Sequence, residues 1–186
     1  MQGWLAPHRL PWLLFGLALC AWLPSLWCGF VFDDVYLVEQ QTCFRSLANI
    51  PGFFADPYNA CDYRPLRYVT YAVAYAVAGT APWIYHLTNV LFHAGSAVLL
   101  WFIVRCLMAR TGRQAGPLAA ACVALWAVHP ALADAVVPAA GTRDVQCTFL
   151  YLLTVLLVLE RARGPVWAYL VGAALSFGAA LLTKEM

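Results

Sequence analysis

The sequence predicts an all-α membrane protein with about five transmembrane helices and an outer loop that carries interfacial amphipathic helices. Of its 186 residues, 63% are hydrophobic and only 11% are charged. A soluble domain carries about a quarter charged residues to keep its surface hydrated. Long uncharged stretches recur along the chain, and most approach the ~20 residues that cross a bilayer. The arginines between them can be assigned to one side of a membrane.

Five stretches are the predicted spans, and together they make residues 1–186 one polytopic membrane domain. They are residues 10–32, 82–104, 116–133, 145–159 and 164–183. The fourth is short, so it either lies with little tilt or includes residues before Arg143. The first begins like a signal peptide, but its length and its lack of a cleavage site indicate a retained anchor.

Residues 68–81 are too short for a span, and we interpret them as an interfacial helix in the outer loop, residues 33–81. Tyr68, Tyr71 and Tyr75 recur at helical spacing, which gives an aromatic face suited to the lipid headgroups. With this assignment, six arginines share one side of the membrane. They are Arg9, Arg105, Arg110, Arg113, Arg161 and Arg163. The positive-inside rule then predicts a cytoplasmic N-terminus.

The same topology collects ionisable residues on the opposite face, which is periplasmic, extracellular or ER-lumenal. They are Asp33, Asp34, Glu39, Asp56, Asp62, Arg64, His129, Asp134, Arg143, Asp144, Lys184 and Glu185. Taken singly, each is best explained as a hydrated residue that caps a span. Their common side makes the set a candidate functional site.

A polar stripe follows one side of the second span. His86, Asn89 and His93 lie at positions i, i+3 and i+7 of a helix. Because polar side chains in lipid are costly, we expect the stripe to face the protein interior. Interhelical hydrogen bonds are the preferred interpretation over metal ligation, since no third ligand is evident.

Cysteine spacing and net charge exclude two further classes of function. The seven cysteines include no CxxC pair and no Cys/His metal spacing, so we predict no cofactor, and the sequence leaves dependence on a divalent metal open. Cys43 and Cys61 share the outer loop and either form a disulfide in an oxidising compartment or remain unpaired thiols. The net charge of +2 and the scattered arginines argue against a nucleic-acid partner.

Five separated motifs occur in a fixed order. They are GFVFDDV at 29–35, YRPL at 63–66, YH at 85–86 with Asn89 and His93, HP at 129–130 with Asp134 and GTRD at 141–144, and LTKE at 182–185. Together they resemble the transmembrane, TPR-containing O-mannosyltransferases, relatives of the protein O-mannosyltransferases in the GT-C class. The resemblance starts at about Gly29 and covers most of the chain. Asp134 stands where that family usually has glutamate, Thr142 stands where it has glycine, and no 34-residue repeat is present.

The resemblance implies a sugar donor carried on polyprenyl or dolichyl phosphate, and an acceptor protein or peptide. A carboxylate in the first outer loop removes a proton from a serine or threonine hydroxyl, which attacks the anomeric carbon with inversion. By motif, Asp33 is this base and Asp34 is its neighbour. The candidate partners of the donor phosphate are Arg64, Arg143 and Lys184, because charge develops on the leaving phosphate. Supporting roles fall to His86, Asn89, His93, His129, Asp134, Asp144 and Glu185.

Two other functions remain open at this point. A transporter fragment is disfavoured, because no span centre carries a charged residue. A non-catalytic membrane module, or the remnant of a truncated enzyme, is the other alternative. Five spans enclose little groove for a polyprenyl tail, so we expect the enzyme to need further spans or a second subunit. Membrane lipids are expected partners in either case.

Overall fold

Regular structure is helical throughout residues 9–55, 63–161 and 164–184, the part of the chain that the computed structural model describes, and this confirms the predicted all-α class. The α-helices in these ranges are α1 (Leu10–Trp22), α2 (Ile50–Ala55), α3 (Pro65–Ala78), α4 (Pro82–Arg110), α5 (Pro117–Ala127), α6 (Ala133–Val136), α7 (Thr142–Glu160) and α8 (Val166–Leu181). Shorter pieces are the 3-10 helices Leu23–Trp27, Leu47–Asn49, Pro130–Leu132 and Ala139–Gly141, and a π-helix, Val35–Gln40.

Three of the described helices are long and apolar enough to cross a membrane: Leu10–Trp27, Pro82–Arg110 and Ala139–Glu160. A fourth candidate combines α5 with residues 130–136, and the two parts are bent by 43°. The helix α8 is apolar but has only 16 residues. The chain is therefore an integral membrane protein, and the helical segments match the five predicted spans in order but not in length.

The observed boundaries correct several predicted ones. The first span ends at Trp27 instead of residue 32, and the second continues to Arg110. The fourth includes residues before Arg143, which was one of the two alternatives considered. The third predicted span, 116–133, is interrupted, because the helix breaks at residues 128 and 129, and its two parts count as one bent span. The break coincides with His129-Pro130, where proline disfavours a helical conformation in the preceding residue.

Proline and glycine set the ends of several helices. Pro65, Pro82 and Pro117 each occupy the first position of a helix, where the missing amide is not needed. After α3, Gly79 has a φ of 61°, and its amide donates to the carbonyl of Tyr75 at 2.7 Å. This turn places α3 directly before the long helix α4.

The helix α4 is central and packs against α1, α5 and α7, while α8 packs against α7. At one end of this bundle, Leu14, Trp101 and Val123 form a buried cluster. At the other end, Val90, Val136 and Val145 form a second one. Between them lie small buried side chains that allow close helix approach. They are Ala18, Ala94, Ala97 and Ala127.

The tyrosine face of α3 points into the protein, so its assignment to the lipid headgroups was wrong. Tyr68 and Tyr71 are both only 1% exposed, and Tyr75 packs beside them. Their neighbours are Phe44 and residues 139–140. The helical spacing was read correctly, but the face covers the end of the bundle because the folded outer loop supplies a second apolar layer there.

Candidate active site

Charged residues lie at both ends of the bundle. At one end Arg9 precedes α1, and the Arg110 guanidinium donates to the carbonyl of Leu159 at 2.7 Å. At the other end the Lys184 ammonium lies 2.5 Å from the Asp144 carboxylate, and the amide of Leu66 donates to the carbonyl of Leu182 at 3.2 Å. The second end holds the motif residues and is the candidate site.

The two acids of the first motif have different surroundings. Asp34 is fully buried, and its carboxylate accepts the amides of Ala139 at 3.1 Å and Ala140 at 2.7 Å. Asp33, one residue earlier, has an exposed side chain. A buried carboxylate that already accepts two amides cannot present itself to a substrate without losing them. Asp33, the predicted base, is therefore open to solvent, whereas Asp34, its predicted catalytic neighbour, holds the backbone; the catalytic roles of both acids stay predictions.

The backbone that Asp34 holds is the segment 137–142, which follows α6 and contains the 3-10 helix Ala139–Gly141 and the first residue of α7. His86 Nδ1 lies 2.7 Å from the carbonyl of Val137, and Asn89 Nδ2 donates to that of Pro138 at 2.6 Å. The carbonyl of Ala139 accepts the Tyr71 hydroxyl at 2.8 Å. Irregular backbone inside a membrane protein must find partners within the protein. These side chains supply them, so we call residues 137–142 the clamped segment.

Thr142 links the clamped segment back to α4. Its buried hydroxyl lies 2.6 Å from Asn89 Oδ1 and 2.9 Å from the carbonyl of Ala139. Gly141 fits only because it has no side chain, since a β-carbon there would overlap the carbonyl oxygen of Ala135. The segment is therefore fixed by hydrogen bonds and by close backbone approach.

The polar stripe of α4 faces the protein interior, as predicted. His86, Asn89 and His93 are all buried. His93 Nε2 lies 2.8 Å from the carbonyl of Ala127, where α5 breaks, and the Trp22 indole donates to the same oxygen. Because carbonyls only accept, His86 donates from Nδ1 and His93 from Nε2. His93 therefore satisfies a carbonyl that the break in the third span exposes, and His86 and Asn89 satisfy carbonyls of the clamped segment.

Two predicted phosphate partners share one acid. Asp144 accepts the Lys184 ammonium on one carboxylate oxygen, and Arg143 Nε lies 3.4 Å from the other. All three side chains are partly exposed. Arg64 is half-buried and precedes α3, whose first turn reaches Leu182. Chain segments that are far apart in sequence therefore bring Arg64, Arg143 and Lys184 to one end of the bundle.

The remaining predicted residues are less closely integrated. His129 and Asp134 have exposed side chains on the bent third span, where His129 Nδ1 accepts the amide of Ala131 at 3.2 Å. Within the described ranges, no three His, Cys, Asp or Glu side chains could hold a metal ion. Several predicted residues lie outside these ranges, namely Asp56, Cys61, Asp62, Arg163 and Glu185.

Sequence reasoning missed Arg67 and the role of Tyr71. Arg67 is 1% exposed, and its guanidinium carbon lies 5.0 Å from the ring centroid of Tyr68 and 5.9 Å from that of Tyr71. Burial raises the pKa of Tyr71 to about 12, against the opposing effect of Arg67. The signal in the sequence is the position of Arg67, directly before Tyr68. The headgroup assignment placed the tyrosine face at the membrane surface and so gave no reason to expect a buried cation beside it.

Comparison with known proteins identifies relatives over about nine-tenths of the chain. It is 33% identical over 178 residues to protein O-mannosyl-transferase Tmtc1 of Drosophila melanogaster, covering 91% of this chain and 20% of that protein. It is 30% identical over 183 residues to protein O-mannosyl-transferase TMTC2 of Homo sapiens, and the match covers 91% of this chain and 21% of that protein. It is 28% identical over 181 residues to protein O-mannosyl-transferase TMTC3 of Mus musculus, and the match covers 90% of this chain and 19% of that protein.

These matches confirm the resemblance read from the five motifs. The chain spans about one-fifth of the length of the curated relatives it matches. No protein-family model matches the chain, and no solved structure matches it significantly.

Proposed function

We propose that this relative of the TMTC protein O-mannosyl-transferases forms the catalytic face of a membrane-embedded glycosyltransferase of the GT-C class. The donor is a mannose carried on polyprenyl or dolichyl phosphate, and the acceptor is a serine or threonine hydroxyl of a protein or peptide. One observation carries the proposal: the motifs that contain Asp33, Arg64, Arg143 and Lys184 meet at one end of the bundle.

The chemistry follows from the exposure and charge of these residues. The exposed Asp33 carboxylate takes the proton of the acceptor hydroxyl, whose oxygen forms a bond to the anomeric carbon. The bond from that carbon to the phosphate oxygen breaks, and its electron pair leaves with the phosphate. A single displacement of this kind inverts the anomeric centre.

Cations on the same face stabilise the leaving group. Negative charge grows on the departing phosphate oxygen, and a fixed cation lowers the energy of that transition state. Lys184 and Arg143 are held by Asp144, so they are oriented before the donor arrives. Arg64 is the third candidate, at the start of α3. The apolar sides of the spans offer the surface along which a polyprenyl tail lies.

The arginines at the opposite end support an orientation. Arg9, Arg110 and Arg161 lie at helix ends remote from the candidate site. By the positive-inside rule that end is cytoplasmic, so the N-terminus is cytoplasmic and the active face is periplasmic, extracellular or ER-lumenal.

The test is transfer in lipid nanodiscs by the protein in its full-length context, with dolichyl-phosphate mannose and a peptide rich in serine and threonine. We expect Asp33→Asn to lower kcat by about 10²–10⁴-fold, since the variant keeps the volume and loses the base. Glu39→Gln removes another exposed carboxylate of the same loop and should keep wild-type kcat. Full turnover in the Asp33→Asn protein would rule out Asp33 as the base.

A further inference from the structure

The outer helix α3 contacts both parts of the chain that carry the phosphate-binding cations. In its first turn, the amide of Leu66 donates to the carbonyl of Leu182, two residues before Lys184. Five residues later, the Tyr71 hydroxyl donates to the carbonyl of Ala139 at 2.8 Å, four residues before Arg143. At a rise of ~1.5 Å per residue, these two attachment points are roughly 7–8 Å apart along the helix.

The second attachment is reinforced from the opposite side of the same peptide units. Asp34 accepts the amides of Ala139 and Ala140, while Tyr71 donates to the carbonyl of Ala139. Both side chains are at least 99% buried, so water does not compete for these bonds. The helix α7 begins at Thr142, the last residue of the clamped segment. The direction in which α7 presents Arg143 and Asp144 therefore depends on how residues 139 and 140 are held.

We propose that Tyr71 and Asp34 are positioning residues for the donor, and that α3 sets the separation between Arg143 and Lys184. The inference rests on the proposed function, because it assigns these cations to the donor phosphate. A phosphate contacts two cations at once only when their separation matches the spread of its oxygens. Loss of the Tyr71 hydroxyl leaves the carbonyl of Ala139 with donors from Thr142 alone, which belongs to α7 itself, and so lets the start of α7 shift relative to α8.

This role differs from that of Asp33. The base acts on the acceptor hydroxyl, so its removal lowers kcat. Tyr71 and Asp34 act through Arg143, so their removal weakens donor binding and leaves proton transfer in place. The two adjacent acids of the first motif therefore serve the two substrates separately, Asp33 the acceptor and Asp34 the donor.

The decisive variant is Tyr71→Phe, which keeps the ring and removes only the hydroxyl. We expect the KM for dolichyl-phosphate mannose to rise about three- to tenfold, the size of one neutral hydrogen bond. The kcat at saturating donor and the KM for the acceptor peptide should stay within about twofold of wild type. Asp34→Asn should show the same pattern with a larger rise, because its lost bonds are charge-assisted.

Tyr85→Phe is the matched control. It removes a tyrosine hydroxyl that donates to a backbone carbonyl, that of Gly79 at 2.9 Å, within the same aromatic cluster. That carbonyl lies outside the clamped segment, so the donor KM should stay at the wild-type value. An equal rise in Tyr85→Phe and Tyr71→Phe, or a fall in kcat at unchanged donor KM, would overturn the inference.

Hydrogen exchange provides a readout that needs no turnover. The amides of residues 139–141 should exchange faster in Tyr71→Phe and Asp34→Asn than in the wild type. In Tyr85→Phe their exchange rates should equal those of the wild type. Unchanged exchange in the first two variants would show that the clamp does not exist. Failure of the wild-type chain to bind or use the donor counts instead against the proposed function, so the two failures are distinguishable.

Discussion

Asp33 and Asp34 show how far the surroundings of neighbouring side chains can differ. Phe32, just before them, has a φ of 47°, which non-glycine residues adopt rarely, and its side chain is exposed. The chain turns there and enters the π-helix, so one carboxylate points outward and the next is buried. A buried carboxylate needs strong donors to offset its desolvation, and the amides of residues 139 and 140 supply them.

At the residue scale, Arg143 provides the test of phosphate binding. Arg143→Gln should raise the KM for dolichyl-phosphate mannose by about 10- to 100-fold, the size of a hydrogen bond to a charged group. Arg143→Lys should also be impaired, because lysine cannot offer two parallel donors. Steady-state kinetics at varied donor concentration measures both effects.

The control for this series is Arg113→Gln, an exposed arginine in the loop that follows α4 at the other end of the bundle. It should behave as wild type. If the donor KM is unchanged in Arg143→Gln, the donor phosphate is bound instead by Lys184, by Arg64 or by cations outside the described residues.

At the element scale, the clamped segment depends on Gly141. Gly141→Ala should lower the free energy of unfolding by roughly 1–3 kcal/mol, because the added methyl group overlaps backbone and the segment must move. The measurement is the thermal unfolding midpoint in detergent. Gly178→Ala, in α8, adds the same methyl group into open space and should leave the midpoint unchanged or raise it. Equal midpoints in the two variants would argue against close packing at residue 141.

The attachment of α3 should also weaken at alkaline pH. Burial raises the pKa of Tyr71 to about 12 from an ordinary value of 10.0, so folding favours the neutral phenol. Its contribution is complete below pH 10 and is lost as the pH rises from about 10 to 12. The wild type should lose more thermal stability between pH 9 and pH 11.5 than Tyr71→Phe does. The same loss in both proteins would show that Tyr71 does not titrate with folding.

At the scale of the whole molecule, the proposed orientation places residues 39 and 113 on opposite sides of the membrane. Glu39→Cys and Arg113→Cys introduce exposed thiols at these positions, in a protein whose native cysteines have been replaced by serine. In intact cells or sealed ER vesicles of known orientation, an impermeant thiol reagent on the non-cytoplasmic side should label residue 39 only. Residue 113 should react after the membrane is permeabilised. Labelling of residue 113 first would reverse the orientation and place the candidate site in the cytoplasm.

The sequence by itself determined the membrane class, the order of the apolar segments and the identity of the motif residues. Hydrophobic length and helix-starting prolines are local signals, and they act through the solvent and the backbone without reference to distant residues. The inward direction of the His86 stripe was also predictable, because a polar stripe in lipid is costly whichever helices surround it.

Only the tertiary structure decided which of two adjacent acids is buried, which way the tyrosines of α3 face, and what satisfies the free carbonyl where the third span breaks. Each depends on a partner far away in the chain: Asp34 on residues 139–140, Tyr71 on Ala139, and the Ala127 carbonyl on His93 and Trp22. Helical spacing shows which side chains share a face, but it does not show what the face meets. A buried polar group is stable only with a partner, and that partner is fixed only when the helices assemble.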